Sequence, residues 1–260
     1  VVDDGMGMTP EDAVKCFQRH ATSKLKSADD LFRLQTKGFR GEALASIASI
    51  AHVSMRTKKE ESDTGTLIEV EGNTIKTNEQ IVCSTGTSFE VKNLFYNVPA
   101  RRNFLKSESI EFGHIRDEFE RVALAHPAVK FSLHHNGQEI YQLQSGVLRM
   151  RVASIFGRNS NERLVPIEED TNIVSIKGFL GKPDAAKKTR GEQFFFVNHR
   201  FFKDSYFHHA ISKAFDGMIS EKHYPSYCIY LEVDPAKIDV NIHPTKTEIK
   251  FEEDRFIYSI

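Results

Sequence analysis

Two glycines three residues apart, Gly38 and Gly41, lie within Lys37-Gly38-Phe39-Arg40-Gly41-Glu42-Ala43-Leu44. Glycine takes positive φ and lets a backbone approach a ligand with no Cβ in the way. Leu44, Ile47, Ala48 and Ala51 follow at i, i+3, i+4 and i+7, a spacing that predicts a helix directly behind the turn. A glycine-rich turn feeding a helix N-terminus presents free N–H groups and the positive end of the helix dipole, and both suit a phosphate. Taken alone, the same residues also read as a glycine C-cap followed by the start of the next helix.

A second candidate is Asp3-Asp4-Gly5-Met6-Gly7, a strand end followed by two glycines at spacing two. A carboxylate only accepts hydrogen bonds, so it can read the exocyclic amine of adenine while Gly5 and Gly7 let backbone close on the ring. The alternative is a plain Asp-Gly turn. Arg19-His20-Ala21-Thr22-Ser23-Lys24 places hydroxyls beside a lysine, a set that donates to phosphate oxygens or forms a solvated helix exit. It lies between the two glycine motifs, where a lid over a nucleotide would have to be. Later come Asn93 to Lys106, where arginines and lysine interleave with aromatics around Pro99, and His243-Pro244-Thr245-Lys246, a lysine on a proline-stiffened loop. The bland readings are a buried Phe/Tyr cluster with solvated arginines and a surface lysine. Arg200 and Lys203, in Asn198-His199-Arg200-Phe201-Phe202-Lys203, are candidate phosphate contacts for DNA.

The elements that must position these residues are legible. Thr9-Pro10-Glu11-Asp12 opens a helix with Thr at N-cap and Pro at N1. Alternating runs predict strands at His52 to Thr57, Gly65 to Glu71 and Gly86 to Lys92. A long amphipathic helix follows over Ser107 to Ala125. Asn136-Gly137 between two alternating runs predicts a type I′ hairpin, with His134 and His135 on opposite faces and therefore a poor metal pair. Further on, a helix over Leu148 to Phe156 closes at Gly157. Strands are predicted at Ile173 to Leu180, Gln193 to Asn198, Tyr227 to Val233, Ile238 to Ile242 and Thr247 to Phe251, with a helix over Asp204 to Ile219. The length of 260 residues predicts two domains, 1–145 and 146–260, divided near Ser145-Gly146.

Composition narrows the function classes. With 35 basic and 36 acidic residues the net charge is −1, so DNA contact must use a local patch and be weak, salt-sensitive and non-specific. Cys16, Cys83 and Cys228 are odd in number and far apart, which indicates neither a disulfide framework nor a zinc site and fits a reducing cytosol. No apolar run approaches the ~18 residues of a membrane span. The opening Val1-Val2-Asp3 reads as the end of a strand, so the chain is expected to begin inside a domain.

In their order and spacing these motifs resemble the MutL family of DNA mismatch-repair proteins, within the GHKL ATPase superfamily. The strings Gly-Phe-Arg-Gly-Glu-Ala-Leu (38–44) and Phe-Tyr-Asn-Val-Pro-Ala-Arg-Arg (95–102) carry the resemblance most specifically. It implies an α+β fold: a Bergerat-type sandwich with helices on one face of a mixed sheet, then a small β-α transducer domain containing a left-handed crossover. It implies that Asp3 reads adenine, with Gly5 and Gly7 lining the base pocket and Thr87 supporting it. Thr22 and Ser23 would reach phosphate from the lid, and Gly38, Phe39, Arg40, Gly41, Glu42, Ala43 and Leu44 would form the phosphate cradle. Lys246 would reach the γ-phosphate from the second domain.

The resemblance further implies ATP and magnesium as cofactors and a MutS-type protein and downstream repair proteins as partners. It also implies a homodimer in the ATP state and a cytoplasmic location, or a nuclear one in a eukaryote. The family's activating glutamate and magnesium-binding asparagine belong to a motif that precedes Val1, so this chain by itself is expected not to turn over ATP. The other function class is a non-catalytic module of the same fold that binds DNA or protein.

Overall fold

The computed structural model describes residues 1–22, 41–157, 159–240 and 247–260. The chain divides into two compact units, Val1–Glu108 and Ser109–Ile260. This division falls ahead of the long helix rather than at Ser145-Gly146, for a reason given below.

The first unit is built on one sheet. Strands β1 (Val2–Asp3), β2 (His52–Lys58), β3 (Gly65–Glu71), β4 (Thr74–Ile81) and β5 (Gly86–Lys92) lie in the order β1-β5-β2-β3-β4. All four pairings are antiparallel, where the resemblance had implied a mixed sheet. Alternation makes the sheet two-faced. Val53 and Met55 of β2 and Ile68 and Val70 of β3 are buried with Ala13 of α1 (Pro10–Lys15) and Ala48 of α2 (Ala43–Ala48). Residues between them point the other way, and there Arg56 and Lys92 both pair with Glu90. Those cations hold the Glu90 carboxyl near 2, Lys92 contributing most. Helix α1 starts as expected, Thr9 accepting from the Asp12 N–H at 3.1 Å. A short helix, α3 (Pro99–Asn103), closes the unit.

In the second unit, α4 (Glu108–Ala125) leads into the hairpin β6 (Phe131–His135) and β7 (Gln138–Leu143), then α5 (Leu148–Phe156). Asn136 and Gly137 both have positive φ, 49° and 78°, as a type I′ turn requires. A five-stranded sheet follows, made of β8 (Leu164–Asp170), β9 (Val174–Gly181), β10 (Gln193–Val197), β11 (Arg200–Phe202) and β12 (Tyr227–Val233), in the order β11-β10-β12-β9-β8. Strands β10 and β12 pair in parallel, with α6 (Ser205–Ala214) in the connection. The chain ends in a two-stranded pair, β13 (Ile238–Asp239) with β14 (Lys250–Phe251), and α7 (Asp254–Ser259).

Strand β10 is apolar at four successive positions because it is buried on both faces. Phe195 and Val197 join a core with Phe207 of α6 and Ile257 of α7. Phe194 and Phe196 join a second core with Leu124 and Ala125 of α4 and Val152 and Phe156 of α5. This second core accounts for the observed division: the end of α4 is buried against α5 and β10. Arg151 reinforces it, donating to the carbonyls of Ala123, His126, Pro127, Val129 and Gln144. The segment before Ser145 is thereby tied to the helix after it.

Candidate functional site

At the β1 edge of the first sheet, three polar side chains lie in a row. Cross-strand register pairs Asp3 with Thr87 and Thr87 with Thr57, which puts all three on the helix-covered face. Thr57 and Thr87 are buried and their hydroxyl oxygens are 3.1 Å apart. Asp3 is exposed, and its Oδ1 accepts from the Gly5 N–H at 3.0 Å. Its Oδ2 has no hydrogen bond among the described residues, so one oxygen braces the turn and the other makes no such bond there. Gly86 lets the strands meet: its φ is +105°, and a Cβ there would lie 2.1 Å from the Asp3 carbonyl oxygen. Gly7 has positive φ, and Met8 behind it donates its N–H to Thr57 Oγ1 at 3.0 Å.

The phosphate candidates are described in part. Ser23, Gly38, Phe39, Arg40 and Lys246 lie outside the described residues, as does the lid segment from Leu25 to Thr36. Thr22 and Gly41 to Leu44 are described. Gly41 has φ +62° and its carbonyl accepts from the His20 N–H at 3.1 Å, so the end of the Arg19–Thr22 motif meets the glycine motif there. Glu42 is the N-cap of α2, makes no side-chain cap bond, and faces His20 Nδ1 at 3.6 Å. Helix α2 has only six residues, shorter than the predicted run through Ala51, so backbone N–H groups rather than a long dipole are what this turn offers an anion.

A family described as "DNA mismatch repair protein, C-terminal domain" matches residues 152–260. The DNA mismatch repair protein MutL of Christiangramia forsetii is 60% identical over all 260 residues, which make up 42% of that relative. That of Flavobacterium johnsoniae is 58% identical over the same span, 40% of its length. The chain belongs to the MutL family. It spans about two fifths of the length of these curated relatives. Among solved structures, the N-terminal domain of a DNA repair protein superposes with a TM-score of 0.82 at 24% identity, covering 99% of this chain and 80% of that one. The Aquifex aeolicus MutL ATPase domain complexed with ADP gives 0.68 at 24% identity, covering 90% and 79%. At that identity the superpositions establish the fold, a GHKL-like α+β architecture.

Within this chain the Phe-Tyr-Asn string has a physical role that its composition did not reveal. The Asn97 side chain donates to the Ser49 carbonyl at 2.8 Å and the Phe95 N–H to the Ile50 carbonyl at 2.7 Å. These carbonyls follow the last turn of α2 and would otherwise lack partners. The string therefore fastens the far end of the helix whose near end carries Gly41. Phe95 is held in the left-handed region, φ 63°, to make this contact. The aromatics are only partly buried and Phe104 is exposed, so the expected buried cluster is not what forms.

Arg200 and Lys203 bracket β11 in the second unit. Arg200 is half-buried, and desolvation lowers its pKa from the ordinary guanidinium value. Lys203 is exposed and borders a groove of about 910 Å³ whose other cationic lining residues are Lys250 and Arg255, alongside Asp204, Glu248 and Asp254. His134 and His135 diverge: one faces Glu139, the other stacks on Phe112. Sequence reasoning missed Thr57 and Asn97. A threonine ending an alternating strand carries no signal of its own, and Asn97 gave one only through its motif.

Proposed function

We propose that this chain is the nucleotide-binding and switching part of a MutL-type DNA mismatch-repair protein, in which ATP drives closure and dimerisation and couples mismatch recognition to later repair steps. One observation carries the reading most directly. Asp3, cross-strand partner of Thr87, keeps one carboxylate oxygen without a hydrogen bond among the described residues, on a turn shaped by glycines, in a fold that superposes on a MutL ATPase domain complexed with ADP. Asp3 accepts from the exocyclic amine of adenine, Gly5 and Gly7 line the base, and Thr87 supports it. Thr22, Ser23 and the Gly38–Leu44 turn hold the phosphates, and Lys246 contacts the γ-phosphate. Magnesium, when bound, would supply positive charge to offset that of the phosphates. Among the described residues no group of three or more His, Cys, Asp or Glu side chains could hold a metal ion, so none is assigned to it. A MutS-type protein and repair factors are the proposed partners, with DNA bound weakly through the region of Arg200 and Lys203. No helix among the described residues is long and apolar enough to cross a membrane.

Titration calorimetry with ADP tests the base-reading role. Asp3→Asn removes one acceptor and adds a donor facing the amine, and it should weaken ADP at least tenfold while leaving the melting temperature within about 2 °C. Unchanged affinity would overturn the assignment. For DNA, affinity for a duplex at two salt concentrations should fall as salt rises, and Arg200→Ala with Lys203→Ala should reduce it; a flat response removes the phosphate contacts.

A further inference from the structure

The far end of α2 sits in a socket of donors. The carbonyls of Ala48, Ser49 and Ile50, at and just past its C-terminus, each receive a bond from outside the helix. Ala48 accepts from the Asn73 N–H at 3.3 Å, Ser49 from the Asn97 side chain at 2.8 Å, and Ile50 from the Phe95 N–H at 2.7 Å. These donors belong to two turns, Gly72-Asn73 between β3 and β4 and the segment from Asn93 to Asn97 after β5. His52 joins the turns. Its Nδ1 lies 3.1 Å from the Asn93 amide nitrogen, its Nε2 lies 3.2 Å from Glu71 Oε1, and its ring meets Tyr96 edge-on at 4.5 Å.

The second turn is held there against its own backbone preference. Asn93 has φ 53° and Phe95 φ 63°. Asparagine tolerates the left-handed region, whereas phenylalanine has no polar atom to bond its own backbone and enters that region at a cost. Such strain persists where surrounding contacts over-determine the conformation, and it gathers at functional sites. Asn97 is itself exposed, so water can replace its bond to Ser49. Water cannot replace the position that this bond imposes on the helix. We propose that Asn97 is a positioning residue for the phosphate turn, fixing one end of α2 so that the backbone at Gly41 to Leu44, at the other end, stays aligned with the phosphates of a nucleotide. This role rests on the assignment of that turn to phosphate. Helix α2 has six residues, roughly 9 Å at 1.5 Å per residue, so a shift at one end is carried to the other. Its near end is held more lightly, since Glu42 makes no side-chain cap bond. Asp3 and Thr87 are held by the register of β1 with β5 instead, so the base side does not depend on the socket.

Displacement of a fluorescent ADP by ADP and by adenosine tests this, on the full-length protein and its Asn97→Ala and Asn97→Asp variants, with thermal melting of each. Alanine removes the donor, and aspartate keeps the size but only accepts. Both should weaken ADP about three- to tenfold, the scale of one net hydrogen bond, while adenosine stays within about twofold. Equal losses for ADP and adenosine would make Asn97 a structural residue and overturn the proposal. Weakening confined to Asn97→Asp would trace to the added charge and overturn it too. If the unmodified protein holds ADP no more tightly than adenosine, the turn is misassigned and the role of Asn97 falls with it. If it prefers ADP and both variants keep that preference, the turn stands and only Asn97 falls. Should alanine or aspartate prevent folding, Asn97→Ser, a shorter donor, should lower the ADP/adenosine ratio by a smaller factor, and an unchanged ratio there counts against the proposal.

Discussion

The Arg151 guanidinium donates to the Ala123 carbonyl at 2.5 Å and, through four further carbonyls, ties the end of α4 to the start of α5. The residue is 3% exposed, so those carbonyls depend on it rather than on water. Arg151→Met fills much of the volume and supplies no donor. It should destabilise the second unit by at least about 3 kcal/mol, since buried acceptors left unpaired cost roughly 1–3 kcal/mol each and some will find water. Urea unfolding measures this, and a loss under about 1 kcal/mol would show that the carbonyls re-pair easily.

Gly41 has little room for a side chain. At φ +62° a Cβ would lie 2.2 Å from the Ala21 carbonyl oxygen, which is backbone and cannot swing aside. Gly41→Ala should separate the Arg19–Thr22 motif from the turn and lower ADP affinity more than tenfold, with a cost to stability above roughly 1 kcal/mol. Calorimetry and melting on one sample report both. Normal ADP binding would mean that the cradle does not need this contact.

Lys246 is proposed as a γ-phosphate sensor. A charge-assisted hydrogen bond is worth roughly 1.5–3 kcal/mol. In the full-length protein Lys246→Ala should therefore weaken ATP-dependent closure, measured by dimer formation, far more than ADP affinity. Equal losses for the two nucleotides would remove the sensor role.

His208 carries a pH dependence with a definite sign. Burial, and secondarily the Arg190 charge, lower its pKa from 6.5, while its Nδ1 is 2.8 Å from the Tyr227 hydroxyl. The folded protein holds the ring neutral and the unfolded chain takes the proton first. Its contribution to stability is thus full above about pH 6.5 and declines as pH falls from there toward the lowered folded value. Melting at pH 7.5 and 5.5 should show a smaller acid loss in His208→Asn than in the unmodified protein. Parallel losses would place the acid sensitivity elsewhere.

Burial pushes the Cys16 thiol up to about 11 and the Cys228 thiol up to about 12. Neither is a thiolate at pH 8, and alkylation needs the thiolate. Iodoacetamide followed by mass spectrometry should leave both unmodified in the folded protein and label both in urea. Rapid labelling of Cys228 in the native state would require the second unit to open.

What the sequence determined by itself was local or carried by motif. The Asn136-Gly137 turn, the Thr9 cap and the alternating strands β2, β3 and β5 follow from backbone preference and from one buried face per strand. The order of the short motifs was enough to place the chain in its family. Strands β4 and β8 went unpredicted. Both lie at sheet edges with mostly exposed side chains, and such a strand is held by its neighbour's ladder rather than by an apolar pattern of its own. The compact units divide at the start of α4 rather than near Ser145 for a related reason: Leu124 and Ala125 are buried against α5 and β10, and nothing within α4 says which partner covers its last turn. Only the tertiary structure decided that Asp3, Thr87 and Thr57 share one row. Residues 3, 57 and 87 are brought together by strand register, and register is a property of the folded sheet as a whole.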